Sequence, residues 1–163
     1  MLVELPDPVA VAVSCAVWVL IGLVTGYLLA RRPVEDFARD NWLSRPRRFE
    51  DSGAWYQRRL RIRRWKDRLP EKGDLFRDGF SKRHLVDRSD AHLRRFVAET
   101  RRAEYVHWSN LASGPAFLIW CSPLLGSVMI AFGVLAHLPF ICVQRFNRQR
   151  LTRLLERRTA LRR

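Results

Sequence analysis

Residues 115–143 read "PAFLIWCSPLLGSVMIAFGVLAHLPFICV", and how this run meets a membrane decides the fold. It holds 29 residues with no acidic or basic group except His137, interrupted by Pro123, Gly126, Gly133 and Pro139. The tail beyond it, "QRFNRQRLTRLLERRTALRR", carries eight arginines against one glutamate. The positive-inside rule puts that tail on the cytoplasmic side, and the basic region before Pro115 on the same side. The run must therefore enter and return on one side. Two full crossings need about 40 apolar residues, and 29 are too few. The expectation is a re-entrant hairpin turning near Cys121 to Pro123, its first arm extended backwards by an amphipathic helix. The alternative is a single crossing that breaks the charge rule.

Val9 to Ala30, "VAVAVSCAVWVLIGLVTGYLLA", is 22 residues without a charge. At ~1.5 Å per residue it is long enough for a ~30 Å hydrocarbon core. Asp7 and Pro8 suit its start, and Arg31, Arg32 and Pro33 end it. The competing reading is a cleaved signal peptide, against which the acidic amino end argues. The charge rule then puts Met1 outside and Arg31 in the cytoplasm. The expected location is the cell membrane.

Between the apolar runs the chain is polar and basic. "VEDFARDNWL" and "AWYQRRLRIRRWKDRL" predict short amphipathic helices, the second drawing apolar contacts from Trp55, Leu60, Ile62, Trp65 and Leu69. "LPEKGDLFRDGF" predicts loop. Ser89 or Asp90 can cap a long helix running to about Asn110. The expected fold is all-α: a small integral membrane protein with an N-terminal transmembrane helix, a basic amphipathic region and a C-terminal membrane hairpin. Its expected segments are an anchor over 1–32, a basic interfacial region over 33–89, the hairpin over 90–155 and a basic tail over 156–163.

The chain of 163 residues has 30 Lys+Arg against 16 Asp+Glu, a net charge of +14, and 48% hydrophobic residues. That charge calls for an anionic partner, and its segregation from the apolar runs points to a bilayer with anionic headgroups. Nucleic acid is the lesser reading, because the charge flanks membrane segments and no recognition motif is present. Cys15, Cys121 and Cys142 sit in apolar runs without metal-ligand spacing. No Walker loop, nucleophile elbow or Rossmann fingerprint occurs.

The candidate chemistry lies on the hairpin. Wound at 100° per residue, "FVAETRRAEYVHW" puts Leu93, Phe96, Val97, Thr100, Trp108 and Leu111 on one stripe, with Glu104 and His107 in its middle. Arg95, Glu99 and Arg102 point away. From Phe140 to Leu155 a second stripe carries Gln144 and Asn147, with Arg148 at its flank. In an antiparallel hairpin Glu104, His107, Gln144 and Asn147 can converge. A His oriented by a Glu can act as general base, and Gln or Asn can hold an oxyanion. The same four groups can instead be interhelical hydrogen bonds that only fix the hairpin. Glu-x-x-His also occurs at metal sites, but no second pair accompanies it, so no metal is expected. Lys66, Lys82 and His84 are candidates to hold a phosphate-bearing donor. Asp67, Glu71 and Asp74 are a weaker cation candidate, and His137 reads as a helix-bonded histidine.

The blocks "RRWKDRLPEKGDLF", "SKRHL", "ETRRAEYVHW" and "PFICVQRFNRQRLTRLL", in this order, resemble the glycosyl-diaponeurosporenoate acyltransferase family, across about Trp55 to Arg158. The family's last block usually has Tyr and Pro where this chain has Phe146 and Gln149. The resemblance implies a membrane enzyme of a staphyloxanthin-type carotenoid pathway. It would esterify a fatty acyl group onto the sugar hydroxyl of a glycosylated carotenoid or related glycolipid. No cofactor is expected; the acyl donor would be a thioester co-substrate on coenzyme A or an acyl carrier protein. His107, Glu104, Gln144 and Asn147 are then the catalytic candidates. Arg101, Arg145, Arg148, Trp65, Lys66, His84, Glu99 and Trp108 are the substrate- and donor-binding candidates. With no Ser or Cys placed as nucleophile, direct transfer is expected. The alternative function is a non-enzymatic membrane adaptor that binds anionic lipid or a partner enzyme.

Overall fold

The structure, a computed structural model, describes residues 5–69 and 89–162. The loop expected over 69–80, apart from Leu69, and the candidates Lys82, His84, Glu71 and Asp74 lie outside the described residues. Four α-helices carry the fold: α1 (Asp7–Ala30), α2 (Ala54–Leu60), α3 (Asp90–Ser113) and α4 (Pro123–Leu161). No strand occurs among the described residues.

Helix ends follow their local chemistry. Pro8 sits in the first turn of α1, where a missing N–H costs nothing. The Ser89 hydroxyl accepts from the His92 N–H and caps α3. Gly114 and Pro115 end α3 in a 3-10 turn, Gly114–Ile119. Ser122 accepts from the Leu125 N–H and opens α4, with Pro123 as its first residue. α4 then runs for 39 residues, through Pro139, to Leu161.

α3 and α4 form the antiparallel hairpin, turning through Trp120, Cys121 and Ser122 as expected. α1 lies against it, antiparallel to α3. The Trp120 indole donates to the Ser14 hydroxyl at 3.0 Å, Trp18 meets Phe117 edge-on at 4.6 Å, and Arg102 donates to the Arg32 carbonyl at 2.9 Å. The hairpin tip therefore stands level with Ala10 and Ser14, near the start of α1.

The expected extension of the first arm backwards by the amphipathic helix accounts for that depth. Residues 105–144 carry no Asp, Glu, Lys or Arg, so the rising arm includes the last turns of α3. The count of 29 leaves those turns out because Ser109, Asn110 and Ser113 are polar. Their side chains bond back to the helix's own carbonyls, of Tyr105, Val106 and Asn110, which removes the penalty of taking them out of water.

α1 and α4 are each long and apolar enough to cross a membrane. Their most apolar windows are 17% and 22% buried within the protein, whereas the core helix of a soluble protein is mostly covered. The apolar core divides by level. Ala10, Trp18, Phe117, Cys121 and Met129 pack around the hairpin tip. Tyr56, Ile62 and Phe146 pack beside α2, and Leu93, Phe96, Val97 and Leu151 join the far ends of α3 and α4.

The basic region is less helical than its pattern suggests. "VEDFARDNWL" forms one 3-10 turn, Val34–Phe37, and "AWYQRRLRIRRWKDRL" breaks after α2, where Arg61 adopts φ 47°. The segment around Phe37 lies over the outer face of α3. Glu99 and Arg102, expected to face water, are covered by it. Glu99 is buried and takes two hydrogen bonds from Arg102, whose guanidinium stacks over Phe37.

Candidate active site

Glu104 is fully buried, and both its oxygens are engaged. Oε1 accepts from Arg145 Nη1 at 2.7 Å and from the Trp108 indole at 3.1 Å, and Oε2 pairs with Arg148 Nη2 at 2.6 Å. Arg145 reaches onward. Its Nε donates to Glu50 Oε1 at 2.6 Å, and its terminal nitrogens donate to the Leu43 and Arg45 carbonyls. Glu50 also accepts from the Tyr56 hydroxyl, from Gln149 Nε2 and from the Arg47 N–H. Arg148 donates to the Ser44 carbonyl.

The result is a chain of alternating charge, Glu50–Arg145–Glu104–Arg148, with two negative and two positive groups. Neutrality and dense hydrogen bonding allow such a cluster to be buried. Burial alone would raise the Glu50 pKa, but the hydrogen bonds from Arg145, Tyr56 and the Arg47 N–H hold it below its ordinary value. Burial, followed by the Glu50 carboxylate, pushes the Tyr56 hydroxyl far above the ordinary tyrosine range, so it stays a donor.

The partner of His107 is not the one expected from spacing. Its Nδ1 stands 3.2 Å from Nδ1 of His137, and its ring stacks on Phe140 at 4.6 Å and 15°. His137 is thus joined across the hairpin to His107. At that distance one ring can donate its Nδ1–H to the other. The ring that donates it keeps its lone pair on Nε2, the state a general base requires. At 1.5 Å per residue the pair lies about 5 to 12 Å along the helices from the ion network, inside the uncharged stretch.

Of the other expected residues, Gln144 is buried on the α3-facing side of α4, and Asn147 is half-buried one turn on. Trp108 joins the network through Glu104. Arg101 is drawn elsewhere: it donates to Asp40 at 2.7 Å and to the Phe37 and Ala38 carbonyls, clamping the connector after α1. The buried guanidiniums of Arg101, Arg145 and Arg148, expected to bind substrate or donor, all bond within the protein. Trp65 donates to the Leu60 carbonyl, and Lys66 pairs with Asp67. No group of three or more metal-ligating side chains occurs among the described residues.

Sequence reasoning missed Glu50 and Tyr56, named Gln149 only as a departure from the family pattern, and gave His137 no part in the site. Glu50 sits in "RRFEDSG", a stretch with no helical period, and gave no signal. His137 could have been found, because it and His107 are the two histidines of the uncharged stretch.

A family model described as glycosyl-4,4'-diaponeurosporenoate acyltransferase matches residues 39–157 of this chain. The glycosyl-4,4'-diaponeurosporenoate acyltransferases of Staphylococcus aureus strains bovine RF122 / ET3-1 and MRSA252 are 30% and 29% identical to it. Each alignment spans 139 residues, 85% of this chain and 83% of the relative. No solved structure matches the chain.

Proposed function

The chain belongs to the glycosyl-4,4'-diaponeurosporenoate acyltransferase family, a family of acyl-transferring enzymes, and from that premise we propose its reaction and its site. It moves a fatty acyl group from a thioester donor, on coenzyme A or an acyl carrier protein, to a sugar hydroxyl of a glycosylated carotenoid or related glycolipid. The observation that carries the site is the His107–His137 pair. It is a titratable pair at the edge of an uncharged helical hairpin, where an acceptor with an apolar tail and a sugar head presents its hydroxyl.

His107 Nε2 takes the proton of the sugar hydroxyl while His107 donates its Nδ1–H to His137. The hydroxyl oxygen attacks the thioester carbonyl. The tetrahedral oxyanion is held by Gln144 or Asn147. It collapses to the ester, and the departing thiolate recovers the proton from His107. Phe140 fixes the ring plane, and the Glu104 network holds α3 against α4 beneath it. The basic regions face the cytoplasm, and the first residues of α1 face outside.

The test is product analysis by mass spectrometry in a host that accumulates a glycosylated carotenoid. The wild-type chain should give the acylated product, and His107→Ala should lower its rate by about 10²–10⁴-fold. Equal acylation by both would remove His107 from the mechanism. No acylation by an inserted wild-type protein would overturn the acceptor.

A further inference from the structure

A pocket of about 220 Å³ opens on the side of α4 turned away from α3. Its walls include Arg58, Arg63, Arg150 and Arg153, its floor is Phe146, and the backbone of Gly53 closes one edge. Asp51 pairs with Arg58 at 2.8 Å. Among the described residues no carboxylate pairs with Arg63, Arg150 or Arg153. Arg150 is instead crowded by the like charges of Arg63 and Arg153 and lies over the Phe146 ring at 5.5 Å. Guanidiniums such as these three, gathered without a counter-charge among the described residues, are suited to a phosphate, which accepts several forked hydrogen bonds at once.

The pocket's place on the helix identifies the source of that phosphate. Leu124, Val128, Phe132 and Leu135 recur every three or four residues on α4 and are 78%, 55%, 56% and 75% exposed. From Leu135, three helical turns lead to Phe146, and Arg150 and Arg153 follow on the same side. The same side of α4 thus carries the exposed apolar stripe and, three turns on, the pocket. Arg150 lies about 9 Å along the axis from Gln144, where the uncharged stretch ends, close to the depth of lipid headgroups. The His pair faces α3, on the other side of α4, so a donor held in this pocket would have to pass around the helix.

We propose that this pocket binds the headgroup phosphate of one anionic phospholipid, whose acyl chains run along the same side of α4 toward its outer stripe. The site is separate from the transfer chemistry proposed above, and its test reads binding rather than turnover.

The full chain, purified in detergent and stripped of lipid, would be titrated with phosphatidylglycerol or phosphatidylcholine and followed by native mass spectrometry. One phosphatidylglycerol should bind at least tenfold more tightly than phosphatidylcholine. The triple change R63Q/R150Q/R153Q should abolish that preference, and R94Q/R95Q/R157Q, which removes the same charge elsewhere, should keep it. If the glutamine variant misfolds, R63K/R150K/R153K keeps the charge but loses the forked geometry and should bind several-fold more weakly. Unchanged binding by the pocket variants, or equal loss in the charge-matched control, would overturn the proposal. Displacement of phosphatidylglycerol by coenzyme A or inorganic phosphate would assign the pocket to a soluble phosphate and overturn the lipid.

Discussion

Glu104 lies on the apolar face of α3 because two arginines of α4 come to meet it there. Its replacement by Ala would leave Arg145 and Arg148 buried with a carboxylate missing, at a cost of about 3–5 kcal/mol in stability. A chemical melt of the purified protein should show that loss, whether or not the residue takes part in turnover. Glu50 makes a prediction in pH. Its carboxyl titrates below its ordinary value in the folded protein, so the stability it contributes is complete above that ordinary value and is lost as pH falls through the lower, folded one. Glu50→Gln should therefore flatten the acid limb of a melting-temperature profile taken between about pH 3 and pH 6, while lowering stability at neutral pH. An acid limb as steep as wild type would show that Glu50 is not the group that titrates. Periodicity showed that Glu104 faces inward but could not show its partners. The spacing Glu-x-x-His suggested a pair within α3, whereas the side chains reach across to α4.

The long elements were legible because their signals are local. Ser89 and Ser122 cap, Pro115 and Pro123 punctuate, and the first apolar run sets the length of α1. The connectors were not legible, because tertiary contacts hold their shape. Arg101 grips the Phe37 and Ala38 carbonyls, and the buried Ile62 follows the left-handed Arg61, neither of which a helical period can report. Packing between elements gives its own prediction. A Cβ built on Gly133 would lie 2.6 Å from Trp18 Cζ2, so α1 and α4 approach only because that side chain is absent. At Gly114 the nearest atom would be 3.5 Å away, on Ile130, an ordinary contact. Gly133→Ala should cost about 1–3 kcal/mol and loosen α1, whereas Gly114→Ala should be nearly neutral. Thermal melts of the two variants in the same detergent compare them directly, and equal stabilities would show that Trp18 moves aside freely.

At the scale of the molecule, charge and apolar surface are separated along one axis. The buried ion network and the arginine pocket occupy one end, and the hairpin tip, beside Ala10 and Ser14, the other. A count of apolar residues made the hairpin shallow, whereas the register between α1 and the hairpin makes the two equally deep. If α1 crosses the bilayer, the tip crosses with it, and both hairpin arms are full spans that enter and leave on the arginine side. The positive-inside rule is then satisfied without a re-entrant loop. Leu124, 78% exposed in the first turn of α4, is the place to test this. In a chain with Cys15, Cys121 and Cys142 replaced by Ala, Leu124→Cys should react in intact cells with a maleimide that cannot cross the membrane. A cysteine at Arg157, on the exposed far end of α4, should react only after the cells are opened. Labelling of both positions only in opened cells would return the hairpin to a re-entrant loop. Labelling of Arg157→Cys in intact cells would invert the whole topology, placing the histidine pair and the arginine pocket at the outer face.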